Sequence, residues 1–165
     1  MMVTPESPAV LALAGGVGGA KLALGLSRCL SPGDLVICVN TGDDETFHGL
    51  HVSPDLDTMM YTLSGLSNEE MGWGIAGDTF TALEMLGKFG VDTWFNLGDR
   101  DLATHIHRTR LLSEGKTLSE VTSELNQRLG VFHEIVPMSD APVKTVLTTN
   151  EGQLSMQRYF CLLYT

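Results

Sequence analysis

Cysteine, basic residues and long apolar runs are all scarce in this chain of 165 residues. Its three cysteines, Cys29, Cys38 and Cys161, form no Cys-x-x-Cys pair and leave one thiol without a partner, which argues against a disulfide framework and favours a reducing compartment. No apolar run approaches the roughly 20 residues that a membrane-spanning helix needs. The N-terminus lacks the basic stretch of a signal peptide. We therefore expect a cytoplasmic protein without a membrane partner.

Positive charge is the second scarcity. The chain has 10 Lys and Arg against 20 Asp and Glu, a formal net charge of −10, and neither Lys nor Arg occurs between Cys29 and Gly87. Nucleic acids and anionic membranes are bound by clustered positive charge. The charge balance therefore predicts no nucleic-acid partner.

Apolar residues, in contrast, recur in patterns typical of alternating strands and helices. They predict strands at 10–14, 35–39, 93–97 and 132–136, with a long polar loop at 40–52. Helices are predicted at 20–30, 53–66, 79–89, 99–114 and 117–129, and a β-hairpin at 143–160. This alternation indicates an α/β fold, with a doubly wound, mostly parallel, Rossmann-like sheet, helices on both faces and a C-terminal β-hairpin.

Four glycines lie between the first predicted strand and the helix that follows it: Gly15, Gly16, Gly18 and Gly19, with Lys21 two residues further on. Backbone N–H groups at such a turn can bind an anion. Lys21 stands where the dinucleotide fingerprint requires glycine or alanine, and the Walker pattern is also incomplete. We interpret the turn as a phosphate site of non-standard type; the alternative is a tight turn without a ligand.

Carboxylates crowd the next part of the chain, where Asp43, Asp44, Glu45, Asp55 and Asp57 have no basic neighbour in sequence. Crowded carboxylates repel one another unless a cation neutralises them. Oxygen ligands favour a hard ion, Mg²⁺ or Ca²⁺. The alternative is a solvated loop followed by ordinary acids at a helix N-terminus. Beside a phosphate site, we favour Mg²⁺.

Further candidates follow the later predicted strands. Asp99, Arg100 and Asp101 come after the strand predicted at 93–97, with Asn96 at its end, and the alternative for them is a helix cap with an Asp–Arg pair. Ser139 and Asp140 lie in a turn between two prolines.

A pair of histidines and a tryptophan are weaker indications of a functional site. His105 and His107 are two residues apart, and this spacing places them on different faces of a helix. We therefore do not expect them to form a metal-binding pair. Trp73, between two glycines, suits either stacking on a planar ligand or the core.

Five segments together resemble the 2-phospho-L-lactate transferase family of coenzyme F420 biosynthesis, in the family's order and spacing: 13–22, 40–44, 53–58, 97–105 and 137–140. The resemblance implies a Mg²⁺-dependent enzyme that moves a phospholactyl-type group from a guanosine diphosphate-linked donor to the deazaflavin Fo, releasing GMP and forming the F420-0 core. The donor's three-carbon group, whether lactyl, enolpyruvyl or glyceryl, stays open.

The resemblance also assigns roles to residues. Gly15, Gly16, Gly18, Gly19 and Lys21 would bind the nucleotide phosphates. Asp44 and Asp57 would be the first metal ligands and the catalytic carboxylates, with Asp43 and Asp55 as nearby metal ligands. Asp57 and Asn96 would contact Fo, although many family members carry a basic residue where Asn96 stands.

The family is roughly twice this length, so we expect residues 1–165 to form a single nucleotide-binding α/β domain, the N-terminal half of a longer transferase. A chain that ends in a predicted strand leaves a sheet edge free, which favours association, for example as a homodimer. The alternative function is that of the related gluconeogenesis-factor regulators, which bind a uridine diphosphate sugar.

Overall fold

A computed structural model describes residues 9–150, 152–156 and 159. Along the chain, the strands are β1 (Val10–Ala14), β2 (Leu35–Val39), β3 (Glu45–Phe47), β4 (Leu50–Val52), β5 (Glu134–Pro137), β6 (Val146–Thr149) and β7 (Gly152–Ser155). The helices are α1 (Val17–Ser27), α2 (Pro54–Leu63), α3 (Thr81–Lys88), α4 (Asp99–Ser113) and α5 (Leu118–Arg128).

Three of the strands form a parallel sheet in the order β1-β2-β5, and the other four form two antiparallel hairpins, β3-β4 and β6-β7. The predicted α/β fold with a parallel sheet and a C-terminal β-hairpin is therefore confirmed. The strands predicted at 10–14 and 35–39 have the predicted bounds, because each is a short β-branched or aliphatic run bounded by turn residues.

Helices α1, α2, α4 and α5 contribute to the core on one face of this sheet. Both parallel connections, β1 to β2 and β2 to β5, advance in the same direction, and right-handed crossovers then place their helices on the same side. The core on that side contains fully buried Leu35, Ile37 and Val39 of β2, together with side chains of α1, α2, α4 and α5. A second helical layer stays a prediction.

On the opposite face, β1 presents Leu11 and Leu13, which are 60% and 76% exposed. The register places Val36 and Cys38 of β2 beside them, followed by Glu134 and Val136 of β5. In the described part of the chain, no helix covers this row. We call these six residues the open sheet face.

Two predictions about elements are wrong. Residues 93–97, all of which the structure describes, form no strand: Phe95 stacks on Phe47 with ring centroids 4.0 Å apart, and Trp94 meets Phe47 edge-on. The loop predicted at 40–52 contains the β3-β4 hairpin, whose turn residues His48 and Gly49 both have positive φ, as a type I′ turn requires.

Helix bounds also differ from the predicted ones. The first helix begins at Val17, three residues before its predicted start, so Gly18 and Gly19 belong to its first turn and not to a loop. The second ends at Leu63, where Gly65 with φ of 73° follows. The capping box predicted at Thr117 and Glu120 is present at the start of α5.

The predictions about the C-terminal end are covered only in part. The second strand of the hairpin is described at Gly152–Ser155, whereas residues 157, 158 and 160 of its predicted extent, and Cys161, lie outside the described residues. Among the helices of the described chain, none has the length and apolar character needed to cross a membrane.

Candidate functional site

The three parallel strands end at the same edge of the sheet, and the polar loops that follow them meet there. After β1 comes the glycine turn, after β2 the segment Asn40 to Asp44, and after β5 the segment Met138 to Lys144. The backbone N–H of Asn40 donates to the carbonyl of Ala14, and that of Thr145 to the carbonyl of Gly42. Ligands of open α/β sheets bind at this edge.

Packing accounts for only some of the glycines in the turn. A Cβ on Gly16 would lie 2.7 Å from Asp55 Oδ1, and one on Gly19 would lie 2.8 Å from Ala14 Cβ. A Cβ on Gly18, by contrast, would meet nothing within 4 Å in the described structure. Gly16 and Gly19 are therefore required by close contacts inside the protein, whereas Gly18 borders open space at the N-terminus of α1, where backbone N–H groups are unpaired.

Asp55 brings a carboxylate against this turn. Its Oδ2 accepts a hydrogen bond of 2.9 Å from Asn40 Nδ2. Burial raises the pKa of Asp55, and the negative charges of Asp43 and Asp44 add to that effect, although the bond from Asn40 opposes it. The structure thus gathers three of the four predicted metal-binding carboxylates close enough to repel one another.

Asp44 is a largely enclosed carboxylate of this group, with a side chain 11% exposed. Its Oδ2 accepts a 2.7 Å hydrogen bond from Ser53 Oγ and lies 3.1 Å from His51 Nε2. Its Oδ1 is buried and has no hydrogen-bond partner among the described residues. A buried oxygen without a partner is costly, and a bound cation or donor would satisfy it.

These observations fit a divalent cation. Carboxylate oxygens are the ligands that Mg²⁺ prefers, together with substrate phosphates and water. Asp43, Asp44 and Asp55 would supply that charge beside the open backbone at Gly18. Asp57 lies in the first turn of α2, four residues after Ser53 in sequence.

A cavity of about 360 Å³ lies beside α2 and α4. We call it the aromatic cavity, because Trp73, Trp94 and Phe95 line one side of it. Its other side is polar, with side chains of α2 and α4: Asp57, Thr58, Tyr61, Asp101 and His105. Asn96 also lines it, so the structure brings Asp57 and Asn96, the pair predicted to bind the acceptor, into one cavity.

Asp57 is held from behind by Arg108, whose guanidinium is fully buried. Arg108 Nη1 donates to Asp57 Oδ2 at 3.2 Å, and Arg108 Nη2 donates to Asp57 Oδ1 in a second hydrogen bond. Burial by itself lowers the pKa of Arg108, but the charge and hydrogen bonds of Asp57 outweigh it and raise the pKa. Asp57 therefore has a fixed orientation and a paired charge.

Asp101 is the second carboxylate of the polar side. Tyr61 donates its hydroxyl to Asp101 Oδ1 at 2.6 Å, and His105 Nε2 lies 3.2 Å from the same oxygen. Burial alone would raise the pKa of Asp101, but the contact with His105, the Tyr61 hydroxyl and the charge of Arg108 hold it below its usual value. Burial and the carboxylates of Asp57 and Asp101 raise the pKa of Tyr61 well above its usual value, so Tyr61 stays protonated.

Asp57, Asp101 and His105 also place one potential ligand atom each within 4.8 Å of one another. A cation there would meet the guanidinium of Arg108, which already neutralises Asp57 and lies 3.3 Å from His105 Nδ1. Among the described residues, no Lys or Arg pairs with Asp43, Asp44 or Asp55, so this acidic group fits a cation better.

Asp99, one of the remaining candidates, has structural contacts, as does Asp78, which the sequence did not single out. Asp99 accepts hydrogen bonds from the backbone N–H groups of Thr81 and Ala82 at the start of α3. Asp78 accepts from those of Arg100 and Asp101 at the start of α4, and leaves no room for a Cβ on Gly98. Each of these aspartates therefore binds backbone N–H groups at the start of a neighbouring helix. The alternative of an N-cap with an Asp–Arg pair differs from this arrangement, because Gly98 is the N-cap of α4 and Arg100 contacts the carbonyl of Ala76.

Ser139 and Asp140 line a second cavity of about 290 Å³, which also contains Thr41, Asp44 and His51 and which we call the hairpin cavity. Asp140 accepts from the backbone N–H of Ser119 in the first turn of α5. Lys21 is exposed on α1, and Arg100 is exposed with one contact to the carbonyl of Ala76. Roles for these four residues stay predictions.

Sequence reasoning missed Tyr61 and His105 of the polar side, and also Arg108, which binds Asp57 without lining the cavity itself. A helical wheel could have found two of them, since Asp101, His105 and Arg108 are spaced four and three residues apart on α4 and share a face. His105 and His107 indeed point to different partners, Asp101 and Glu124. The contact of Arg108 with Asp57, 51 residues away, has no local signal.

Residues 10–161 match the profile of the family described as 2-phospho-L-lactate transferase CofD. A phosphoenolpyruvate transferase of Streptomyces avermitilis is 50% identical over 137 residues, which cover 82% of this chain and 43% of that protein. A 2-phospho-L-lactate transferase of Methanospirillum hungatei is 40% identical over 148 residues, covering 90% of this chain and 50% of that protein. The chain thus spans about half the length of these relatives.

Among solved structures, a member of the UPF0052 family from Bacillus halodurans superposes with a TM-score of 0.49 and 18% sequence identity, over 88% of this chain and 44% of that one. The profile match extends over nearly the whole chain and includes all five segments that carry the sequence resemblance. The chain therefore belongs to the 2-phospho-L-lactate transferase family.

Proposed function

We propose that this chain supplies the donor-phosphate site and the acceptor site of a Mg²⁺-dependent transferase in coenzyme F420 biosynthesis. The reaction moves a phospholactyl-type group from a guanosine diphosphate-linked donor to a primary hydroxyl of the deazaflavin Fo. The observation that carries the proposal is that the first turn of α2 reaches both sites: Pro54 and Asp57 line the aromatic cavity, and Asp55 lies against Gly16 of the glycine turn.

The transfer exchanges the phosphoanhydride bond of the donor for a phosphate ester bond to the acceptor. The acceptor hydroxyl oxygen forms a bond to the phosphorus that carries the three-carbon group, the bridging P–O bond of the donor breaks, and GMP leaves with that oxygen. The hydroxyl proton passes to a carboxylate or to water. Bound Mg²⁺ would offset the negative charge of the diphosphate.

This chain's own residues would mainly position the reactants. Backbone N–H groups at Gly18 and the start of α1 face the phosphates, and Asp43, Asp44 and Asp55 hold the cation. Trp73, Trp94 and Phe95 offer aromatic surfaces to the planar ring system of Fo. Asp57, held by Arg108, still has lone pairs with which to accept the acceptor's hydroxyl, and Asn96 adds an amide at the rim.

The names of the relatives bear on the three-carbon group. Four relatives that are 45% to 50% identical are named phosphoenolpyruvate transferase, as are two at 42% and 44%, whereas two relatives named 2-phospho-L-lactate transferase are 40% and 42% identical. We therefore include the enolpyruvyl form in the proposed donor class. The enolpyruvyl group has a planar C2 doubly bonded to C3, whereas the lactyl group has a tetrahedral C2 and a methyl group at C3, so a direct competition between the two donors distinguishes them.

Calorimetric titration with GDP, with and without Mg²⁺, tests the proposal on this chain. We expect Mg²⁺ to strengthen GDP binding at least tenfold, and Asp44→Asn to remove that enhancement. The exposed Asp34→Asn serves as the matched control and should leave it unchanged. Preferential binding of a uridine diphosphate sugar would instead support the regulatory alternative, and GDP binding indifferent to Mg²⁺ would contradict the proposed metal site.

A further inference from the structure

We propose that Ser53 is a positioning residue that fixes the Asp44 carboxylate, so that one of its oxygens is held by the protein and the other is left for the cation. This inference rests on the proposed function, because it concerns the same cation site. It adds a residue whose sequence position suggests only a helix cap.

Ser53 stands at the N-cap of α2, immediately before Pro54 in the first turn, and its side chain is completely buried. A serine in this position ordinarily accepts a hydrogen bond from a backbone N–H of the first helical turn. In the described structure Ser53 makes no such bond, and its hydroxyl donates instead to Asp44 Oδ2 at 2.7 Å. Thr117, at the N-cap of α5, shows the ordinary arrangement, accepting from Glu120.

The bond has an unequal effect on the two oxygens of Asp44. Oδ2 receives Ser53 Oγ and also lies 3.1 Å from His51 Nε2, whereas Oδ1 has no partner among the described residues although it is buried. A carboxylate anchored through one oxygen presents its other oxygen in a fixed direction. Hydrogen bonds from neighbouring residues orient metal-binding carboxylates in this way.

Ser53 also links two parts of the acidic group. Asp44 comes from the loop after β2, whereas Asp55 and Asp57 lie in the first turn of α2, and the backbone N–H of Asp57 donates to the carbonyl of Ser53 at 2.9 Å. The side chain and the main chain of Ser53 thus bind both segments. Loss of the hydroxyl would free the Asp44 side chain relative to α2.

The combination of Ser53, His51 and Asp44 is not a nucleophilic triad. The same His51 nitrogen, Nε2, lies 3.1 Å from both Ser53 Oγ and Asp44 Oδ2, so the imidazole does not connect the serine to the aspartate through its two nitrogens. The serine hydroxyl is buried and donates to the carboxylate directly. Orientation of Asp44 is the role that these contacts support.

Binding of Mn²⁺, followed by electron paramagnetic resonance in the presence of GDP, tests this role without measuring activity. In Ser53→Ala and in Ser53→Cys, which keeps the packing but donates poorly, we expect Mn²⁺ affinity to fall about tenfold. Ser53→Thr retains a hydroxyl and should restore affinity to within about threefold of the unaltered chain. Thr117→Ala is the matched control: it removes a true helix cap and should lower the melting temperature without changing Mn²⁺ affinity.

The outcomes separate this inference from the proposed function. If the unaltered chain binds Mn²⁺ and Asp44→Asn abolishes binding, but both Ser53→Ala and Ser53→Cys bind as the unaltered chain does, the positioning role is overturned while the metal site stands. If the unaltered chain does not bind Mn²⁺ with GDP present, the metal site itself is overturned, and the positioning role with it. A thermal melt of each variant identifies any variant that has not folded. If one of the two Ser53 variants does not fold, the Mn²⁺ affinity of the other one tests the positioning role.

Discussion

Arg108 is the largest fully buried side chain of the described structure, and it brings a full positive charge into the interior. Two hydrogen bonds to Asp57 neutralise that charge, and further contacts reach the carbonyl of His51 and the ring of His105. A buried ion pair adds little stability relative to apolar residues of the same size, but its half left alone is strongly unfavourable. Arg108 therefore ties the orientation of Asp57 to the stability of the fold.

We expect Arg108→Ala to lower the free energy of unfolding by about 3–5 kcal/mol, because it leaves the Asp57 carboxylate buried without a counterion. Urea denaturation followed by circular dichroism measures this change. Arg110→Ala is the control, since Arg110 is exposed and pairs with Glu114 at 3.5 Å, a contact worth at most about 0.5 kcal/mol. Equal effects of the two substitutions would show that Asp57 finds another partner or water.

Substitution of Asp55 is expected to stabilise the fold, whereas substitution of Arg108 destabilises it. Because its pKa is raised in the folded chain, this carboxyl stabilises the fold fully only below its unfolded pKa, and that contribution is lost as the pH rises through its folded pKa. Asp55→Asn should therefore raise the melting temperature at pH 7 and have no such effect near pH 3. Asn40 can still donate to the new amide oxygen.

A pH series of melts for Asp55→Asn checks this expectation, with the exposed Asp34→Asn as control. Added Mg²⁺ should reduce the advantage of Asp55→Asn at pH 7, because a cation stabilises the native carboxylate and not the amide. A melting temperature that falls at pH 7 without Mg²⁺ would show that the hydrogen bond from Asn40 outweighs the repulsion from Asp43 and Asp44.

Helices α4 and α5 are joined at the surface by Glu124. This residue of α5 contacts Lys116 at 2.6 Å, Arg128 at 3.0 Å and His107 of α4 at 3.4 Å. Hydrogen bonds from Lys116 and Arg128 lower the pKa of Glu124 to about 2. Because the group is exposed to solvent, salt screens these charges.

The depressed pKa of Glu124 gives a pH window. Its stabilising contribution is fully present above its ordinary pKa of 4.5 and is lost as the pH falls toward about 2. Glu124→Gln should melt below the unaltered chain at pH 6 and low salt, and the difference should shrink both at pH 2.5 and in 1 M NaCl. Glu114→Gln, on the same surface, is the control. A difference that persists in high salt would indicate a packing effect.

At the scale of elements, local sequence signals predict the parts of the fold that depend on local physics. β1 and β2 are compact aliphatic runs, and α5 begins with a capping box, so their sequences suffice. Residues 93–97 have strand-like composition, but Trp94 and Phe95 contact Phe47, a residue far away in sequence. The turn at His48 and Gly49 could have been predicted from the sequence, since both residue types tolerate positive φ.

The candidate site divides in the same way. The glycine turn and the acidic residues are visible because each is a cluster in sequence, and the structure assembles Asp43, Asp44 and Asp55 there. The partners that fix these groups lie elsewhere along the chain: Ser53 for Asp44, and Arg108 for Asp57. A single sequence contains no local pattern that links residues paired across 51 positions.

For the whole molecule, the open sheet face is the main departure from a covered α/β sheet. Leu11 and Leu13 lie in a row of apolar side chains on the face opposite the core, with Val36, Cys38 and Val136 half-buried beside them. Contiguous apolar surface of this kind promotes association.

We expect Leu13→Lys to reduce both binding of a hydrophobic dye and concentration-dependent association of this chain. Because Leu13 is 76% exposed, the melting temperature should change by only a few degrees. Leu22→Lys is the matched control: Leu22 is 60% exposed but belongs to α1, away from this face. Analytical ultracentrifugation over a range of concentrations measures the result, and equal effects of both substitutions would contradict a specific role of the sheet face.

The two sides of the aromatic cavity differ in secondary structure. Its acids, tyrosine and histidine belong to α2 and α4, whose positions are fixed by the core, whereas Trp73, Trp94 and Phe95 belong to segments without helix or strand. Substitutions in loops are tolerated more readily than substitutions in packed helices. Mutation can therefore reshape the aromatic surface of the cavity while the polar groups keep their geometry, which would allow ligand preference to change without loss of the fold.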